Sequence, residues 1–227
     1  MLFNFHIPKT GGTAMATLLQ LTHGNQYVQL YYQPPFPFLS ASECRKLRSY
    51  YGEAKSLSSH NVRRFDPEEF WPGAKFMVVL RDPVERFCSA FFHLQRIAPH
   101  QKYGRVLPSS IEDFICHQHE EKNVMVRFLC GLIPGDTLEP SHLDEAVAEL
   151  HKYDIFGLTE DMPETIRRVR SLVPTVVDTM SRENINPNRE ADGTYRSKLP
   201  DAIIRLIEQH NALDIALYDY AVKIFYR

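Results

Sequence analysis

Residues 75–93 read KFMVVLRDPVERFCSAFFH, and the fold class follows from them. Lys75 to Leu80 is a near-continuous apolar run of strand length, the pattern of a parallel strand buried on both faces. The run stops at Arg81-Asp82, and the fixed φ of Pro83 suits the first turn of a helix. Apolar residues at 84, 87, 88, 91 and 94 then recur at helical spacing. A buried strand, a short polar turn and an amphipathic helix make half of a β-α-β unit.

Working outward, the N-terminus repeats the pattern. Residues 2–7 (LFNFHI) predict a short buried strand, PKTGGT a loop, and 14–21 (AMATLLQL) a helix. Further strands are expected at 54–58, at 155–159 and at 175–179 (TVVDT). Helices are expected at 41–51 behind a Ser40 or Ser42 cap, then at 110–118, 122–130, 140–152 and 162–172. A last helical stretch covers 200–227, with a break near Asn211. Residues 24–40, rich in Gln, Tyr and Pro, read as loop, as do 98–109 and the polar stretch 181–198. A loop as long as the last is often functional. Strands alternating with helices predict an α/β fold: a single domain over residues 1–227, with a mostly parallel central sheet flanked by helices. Ligands in such folds bind at the carboxyl ends of the strands.

Composition narrows the function classes. A chain of 227 residues can bury a core without staples. Its net charge of −2 argues against a general nucleic-acid binder, although 26 basic residues leave room for local patches. Cys44, Cys88, Cys116 and Cys130 form no CxxC pair and no zinc-spaced Cys/His cluster, so no metal is implied. They read as reduced thiols, with Cys88 and Cys116 buried in amphipathic helices. The N-terminus has no basic start, and Asn4, His6 and Lys9 interrupt its apolar run, unlike a secretory signal. No stretch reaches membrane-spanning length, so a soluble, cytoplasmic protein with no stable membrane insertion is expected.

Two segments carry chemistry. In His6-Ile7-Pro8-Lys9-Thr10-Gly11-Gly12-Thr13 a strand runs into a helix through a Gly-Gly pair. Backbone N–H groups of Gly11, Gly12 and Thr13 at a helix N-terminus, the Thr13 hydroxyl and the Lys9 charge together suit a phosphate or sulfate. The lysine precedes the glycines, so this is not the GxxxxGK[ST] loop of nucleoside triphosphatases. In the second segment Arg81 ends a strand, and Ser89 sits two turns into the next helix. An arginine fork plus a hydroxyl suits a second phosphate.

Together these two segments resemble the PAPS-dependent carbohydrate sulfotransferase family, in particular its heparan sulfate and uronosyl 2-O-sulfotransferase branch. The resemblance rests on Pro8-Lys9-Thr10 and on Arg81-Asp82-Pro83 through Arg86 to Ser89. It extends to Asn123–Gly131, Phe156–Glu160 and Asn211–Phe225. It implies a P-loop-kinase-like sulfotransferase fold. It also implies the donor PAPS (3′-phosphoadenosine 5′-phosphosulfate, leaving as PAP), bound by Pro8, Lys9, Thr10, Gly11, Gly12, Thr13, Arg81 and Ser89. His60 matches the family's catalytic base, and Lys9 stabilises the leaving phosphate; Ser58 stands where relatives often carry a second histidine. The acceptor would be a carbohydrate or another hydroxyl-bearing molecule. Arg63, Arg64, Arg96, Lys102 and Arg105 are candidates for a basic rim, and Tyr and Phe residues in 27–38 for stacking on sugars, though both sets read equally as solvated charge or core. Two other functions stay open on the residues alone: a kinase-like phosphotransferase and a non-catalytic PAP- or glycan-binding module.

Overall fold

Among the described residues a five-stranded, wholly parallel sheet organises the molecule, with strand order β2-β3-β1-β4-β5. The structure, a computed structural model, describes residues 1–30, 38–64, 71–97, 108–133, 135–177 and 194–227. Strand β1 (Leu2–Phe5) leads into α1 (Gly12–His23), β2 (Tyr27–Leu30), α2 (Ala41–Tyr51), β3 (Ser56–Ser59) and β4 (Lys75–Leu80). Helices α3 (Pro83–Ile97), α4 (Ile111–His117), α5 (Val124–Cys130) and α6 (His142–Leu150) follow. Strand β5 (Ile155–Leu158) then precedes α7 (Met162–Leu172), α8 (Asp201–His210) and α9 (Ala212–Phe225).

The period of two in each strand separates two cores. Phe3 and Phe5 of β1, with Ile7 just beyond it, face a cluster that takes in Leu129 of α5, Leu150 of α6 and Phe225 of α9. Leu2, with Met77 and Val79 of β4, faces α1 and α7 through Leu19, Ile166 and Val169. A third cluster joins α3, α4 and α8 through Phe87, Phe114 and Ile207. Covering both faces with helices is what an all-parallel sheet requires.

Three sequence expectations are corrected. Tyr27–Leu30, expected as loop, is the edge strand β2: the Gln- and Pro-rich composition of 24–40 hid a short aromatic and β-branched run that pairs with β3. The strand expected at 175–179 does not form over 175–177, while 178 and 179 lie outside the described residues. Val176 instead packs as irregular chain in the α1–α7 core, and the Val177 amide donates to Thr22 Oγ1. Cys116, expected to be buried, is exposed in the last turn of α4; all four cysteines are free thiols.

The segments Asn123–Gly131 and Asn211–Phe225 prove to be reciprocal caps. Asn123, at φ 51, accepts the Leu213 and Asp214 amides that open α9, while Asn211 Oδ1 accepts the Asn123 amide. Asp214, fully buried, accepts the Met125 and Val126 amides that open α5. Each helix start satisfies the other's orphan N–H groups.

Candidate functional site

The carboxyl ends of β3, β1 and β4 are neighbours in the sheet, so His60, the loop after Ile7 and Arg81 lie side by side along one edge. The loop is bent by two left-handed residues, Lys9 at φ 68 and Gly11 at φ 85. Gly11 tolerates this freely, whereas a lysine there stores on the order of 1 kcal/mol of strain. Thr10 is buried, and its hydroxyl donates to the Ile7 carbonyl, so its side chain braces the loop from within. Thr159 ties the loop to the neighbouring strand end by its hydroxyl, which lies 2.8 Å from Thr10 O and 3.1 Å from Leu80 O. Helix α1 starts on the far side at Gly12, with no acidic residue in its first turn; Thr13 is exposed there and Pro8 half-buried. The N–H groups of that turn are therefore available to an anion.

Lys9 is half-buried, and its ammonium bonds to no described residue. Burial, and then the Arg81 and Arg96 guanidinium groups, push it down to about 8. A desolvated cation among cations is an environment that a bound anion relieves. Arg81 is buried, donates to the Lys9 carbonyl at 3.1 Å and lies 3.6 Å from the Glu85 carboxylate. Ser89 is half-buried on α3, and its hydroxyl bonds to no described residue. Arg86 is fully buried and tied to Glu121, so this arginine of the motif holds α3 to the 119–121 turn.

On the other side of the loop, His60 is half-buried beside His6. The His60 Nδ1 donates to the His6 carbonyl, and the two rings lie 4.3 Å apart at 30°. A carbonyl only accepts, so Nδ1 carries the hydrogen and Nε2 the lone pair. Burial holds His60 below the usual imidazole range, opposed by the His6 carbonyl. Ser58, in the place of a second histidine, is fully buried and accepts a hydrogen bond from Asn4 inside the sheet. The imidazole beside His60 comes instead from His6 on the adjacent strand end.

Some residues were not singled out from the sequence. Glu85 Oε1 accepts the Tyr195 and Arg196 amides at 2.6 and 3.0 Å, which pins the end of the 181–198 stretch to the start of α3; Arg196 also reaches Asp82 and Glu208. His93 lies one turn beyond Ser89 and accepts from Arg96, and burial, Lys9 and Arg96 push it down to about 4. The spacing 89, 93, 96 on one helix was the available signal. Of the proposed rim, Arg96 stands by this cluster. Arg63 donates to the Leu129 carbonyl beneath α5, and Arg64 pairs with Glu149, so both serve the scaffold. Lys102 and Arg105, residues 31–37 and most of the polar stretch, 181–193, lie outside the described residues. Tyr27 is buried, and Phe38 packs on Phe5 and Phe128. Among the described residues no group of three or more His, Cys, Asp or Glu could hold a metal ion, and no helix is long and apolar enough to cross a membrane.

Residues 1–221 match the family model described as the Sulfotransferase family. Heparan-sulfate 6-O-sulfotransferase 2 of Gallus gallus is 29% identical over 183 residues, 66% of this chain and 44% of the relative. Heparan-sulfate 6-O-sulfotransferase 1 of Homo sapiens is 28% identical over 192 residues, 70% of this chain and 44% of the relative. The chain thus matches less than half the length of these relatives. An uncharacterized protein of Archaeoglobus fulgidus is 22% identical over 247 residues, covering 99% of this chain and 97% of its own. The crystal structure of a sulfotransferase from Alicyclobacillus acidocaldarius aligns over 100% of this chain and 98% of its own, at 16% identity and a TM-score of 0.49.

Proposed function

The chain belongs to the sulfotransferase family, and from that premise we propose that it transfers a sulfuryl group from PAPS to a carbohydrate hydroxyl, acting as one domain. The observation that carries the reading is the half-buried Lys9 ammonium, which feels Arg81, Arg96 and Arg86 against Glu121, on the loop that leads into α1, with His60 on the opposite flank of the same loop. The residues fit a phosphosulfate: amides of Gly11 to Thr13, braced by Thr10, with Pro8 shaping the entry and Lys9 supplying charge. Arg81 and the Ser89 hydroxyl hold the 3′-phosphate.

In the reaction, Nε2 of His60 takes the proton of the acceptor hydroxyl. The acceptor oxygen bonds to sulfur as the bond between sulfur and the bridging oxygen breaks, and PAP leaves. Negative charge gathers on the bridging oxygen and on the sulfuryl oxygens. Lys9 and the loop amides stabilise it, and fixed donors in a site shielded from water act most strongly where charge develops. Positioning and electrostatics carry most of such a group transfer. His60 is held neutral by burial and so is ready to accept a proton at neutral pH.

Metal-free calorimetry with PAP and with ADP, on wild type and Arg81→Ala, tests the reading. Tight PAP binding, weak ADP binding and loss of PAP affinity in the variant support it. Equal affinity for both nucleotides, or binding only with Mg²⁺, refutes it in favour of a kinase-like phosphotransferase.

A further inference from the structure

The His6 ring touches both the start of α1 and the neighbouring strand end. Its ring lies where a side chain on residue 12 would be: a Cβ added to Gly12 would fall inside the imidazole. The opposite relation holds towards β3, where the same ring stacks on His60 at 4.3 Å and the His6 carbonyl accepts from His60 Nδ1. The backbone is fixed as well, because the His6 amide donates to Ser59 O at 2.8 Å, one residue before His60. Gly12 is therefore needed for more than a tight turn. It opens the space in which an aromatic wedge joins the phosphate loop to the neighbouring strand end.

We infer that His6 is a positioning residue for His60, its ring and carbonyl together fixing the plane and tautomer of the His60 imidazole so that Nε2 is the proton-accepting atom. The inference rests on the reading of His60 as the base. For this task the wedge must stay uncharged, since a second imidazolium 4.3 Å away would oppose protonation of His60. Burial, His60 and Lys9 together hold His6 well below the usual imidazole range. When His60 takes the proton, the His6 carbonyl and the face of its neutral ring both lie against the new cation. That is the arrangement in which a hydrogen-bonded partner orients a catalytic imidazole.

The test uses ¹⁵N-histidine NMR on the PAP-bound protein, with His60 signals identified by their loss in His60→Gln. In wild type His60 is expected as the Nδ1–H tautomer, titrating below ~6.5, the unperturbed value. In His6→Ala the space beside the ring fills with water, so the tautomers mix and the titration rises toward ~6.5. His6→Phe keeps the stack and the carbonyl, and should keep the wild-type tautomer and titration. PAP calorimetry on each variant reports whether the loop still folds. A His60 signal unmoved in His6→Ala overturns the inference. So does a His6→Phe variant that behaves like His6→Ala, because the stack would then not be what positions the ring. PAP release from PAPS is measured in parallel in wild type and His60→Ala. Equal rates there would refute the base assignment itself, a failure distinct from an unmoved NMR signal.

Discussion

Asp214→Asn should lose its disadvantage against wild type as the pH rises. The wild-type carboxylate is fully buried, and burial pushes it from 3.8 up to about 6, against the pull of Arg86 and of the Val126 and Met125 amides. The folded value lies above the unfolded one, so folding favours the protonated acid. The stability this contributes is complete below 3.8 and is lost as the pH climbs through about 6. At 1.36 kcal/mol per unit, the whole loss is ~3 kcal/mol, and ~2 kcal/mol of it falls between about pH 4.5 and 7. Asparagine does not titrate. It keeps one oxygen for the two amides that open α5 and leaves the other amide unpaired, a cost of ~1–3 kcal/mol at every pH. The wild-type advantage over Asp214→Asn should therefore shrink by ~2 kcal/mol from about pH 4.5 to 7. Urea unfolding followed by circular dichroism at both pH values measures it, provided the m-values agree. A constant difference would refute the reasoning. A widening one would mean that the amide bonds and Arg86 outweigh desolvation, so that the buried group is favoured as the anion.

Three more outcomes are expected. His60→Ala should lower PAP release from PAPS by ~10²–10⁴-fold in the presence of an acceptor, while calorimetric PAP affinity stays at the wild-type level. Lys9 titrates at about 8 when its site is empty and is pushed up by a bound phosphate, so PAP affinity should be level below that pH and fall above it. Calorimetry across pH should show the slope vanish, and the affinity drop, in Lys9→Met. Gly12→Ala would drive a methyl group into the His6 ring, costing ~1–3 kcal/mol of stability and disturbing both PAP binding and the His60 NMR signal.

What was legible in the sequence follows from which signals are local. Strand β4 and helix α3 could be read because a doubly buried strand is apolar throughout and Pro83 marks the turn into the helix. A serine cap at Ser40 or Ser42 was legible because such caps are local, and the structure places it at Ser40 in a capping box with Glu43. The break at Asn211 was legible for the same reason, but its cause was not, since its partner Asn123 is 88 residues away. Strand β2 was missed because an edge strand is short and half-exposed, and its neighbours' Gln and Pro content spoke louder. The loop around Lys9 could be named from its glycines. The place of His6 could not, because only the parallel register of β1 on β3 brings residues 6 and 60 together.

One physical distinction separates the site from the rest of the polar interior. Asn123, Asn211 and Asp214 break local rules, by a left-handed asparagine and a buried acid, yet every breach closes within the fold as a cap. Arg86 is tied to Glu121 through its terminal nitrogens, while its Nε stays without a hydrogen-bond partner. The strained edge between His60 and Arg81 does not close. The Lys9 backbone is held left-handed at a cost, its ammonium is driven down by burial first and by neighbouring arginines next, against Glu121, and the Ser89 hydroxyl has no partner among the described residues. Backbone strain of this kind persists only where the surroundings enforce it, and here it coincides with a half-buried ammonium. An anion with several oxygen acceptors is what would complete this edge. That argument comes from the chain's own residues, and it points to the same kind of donor that membership of the family suggests.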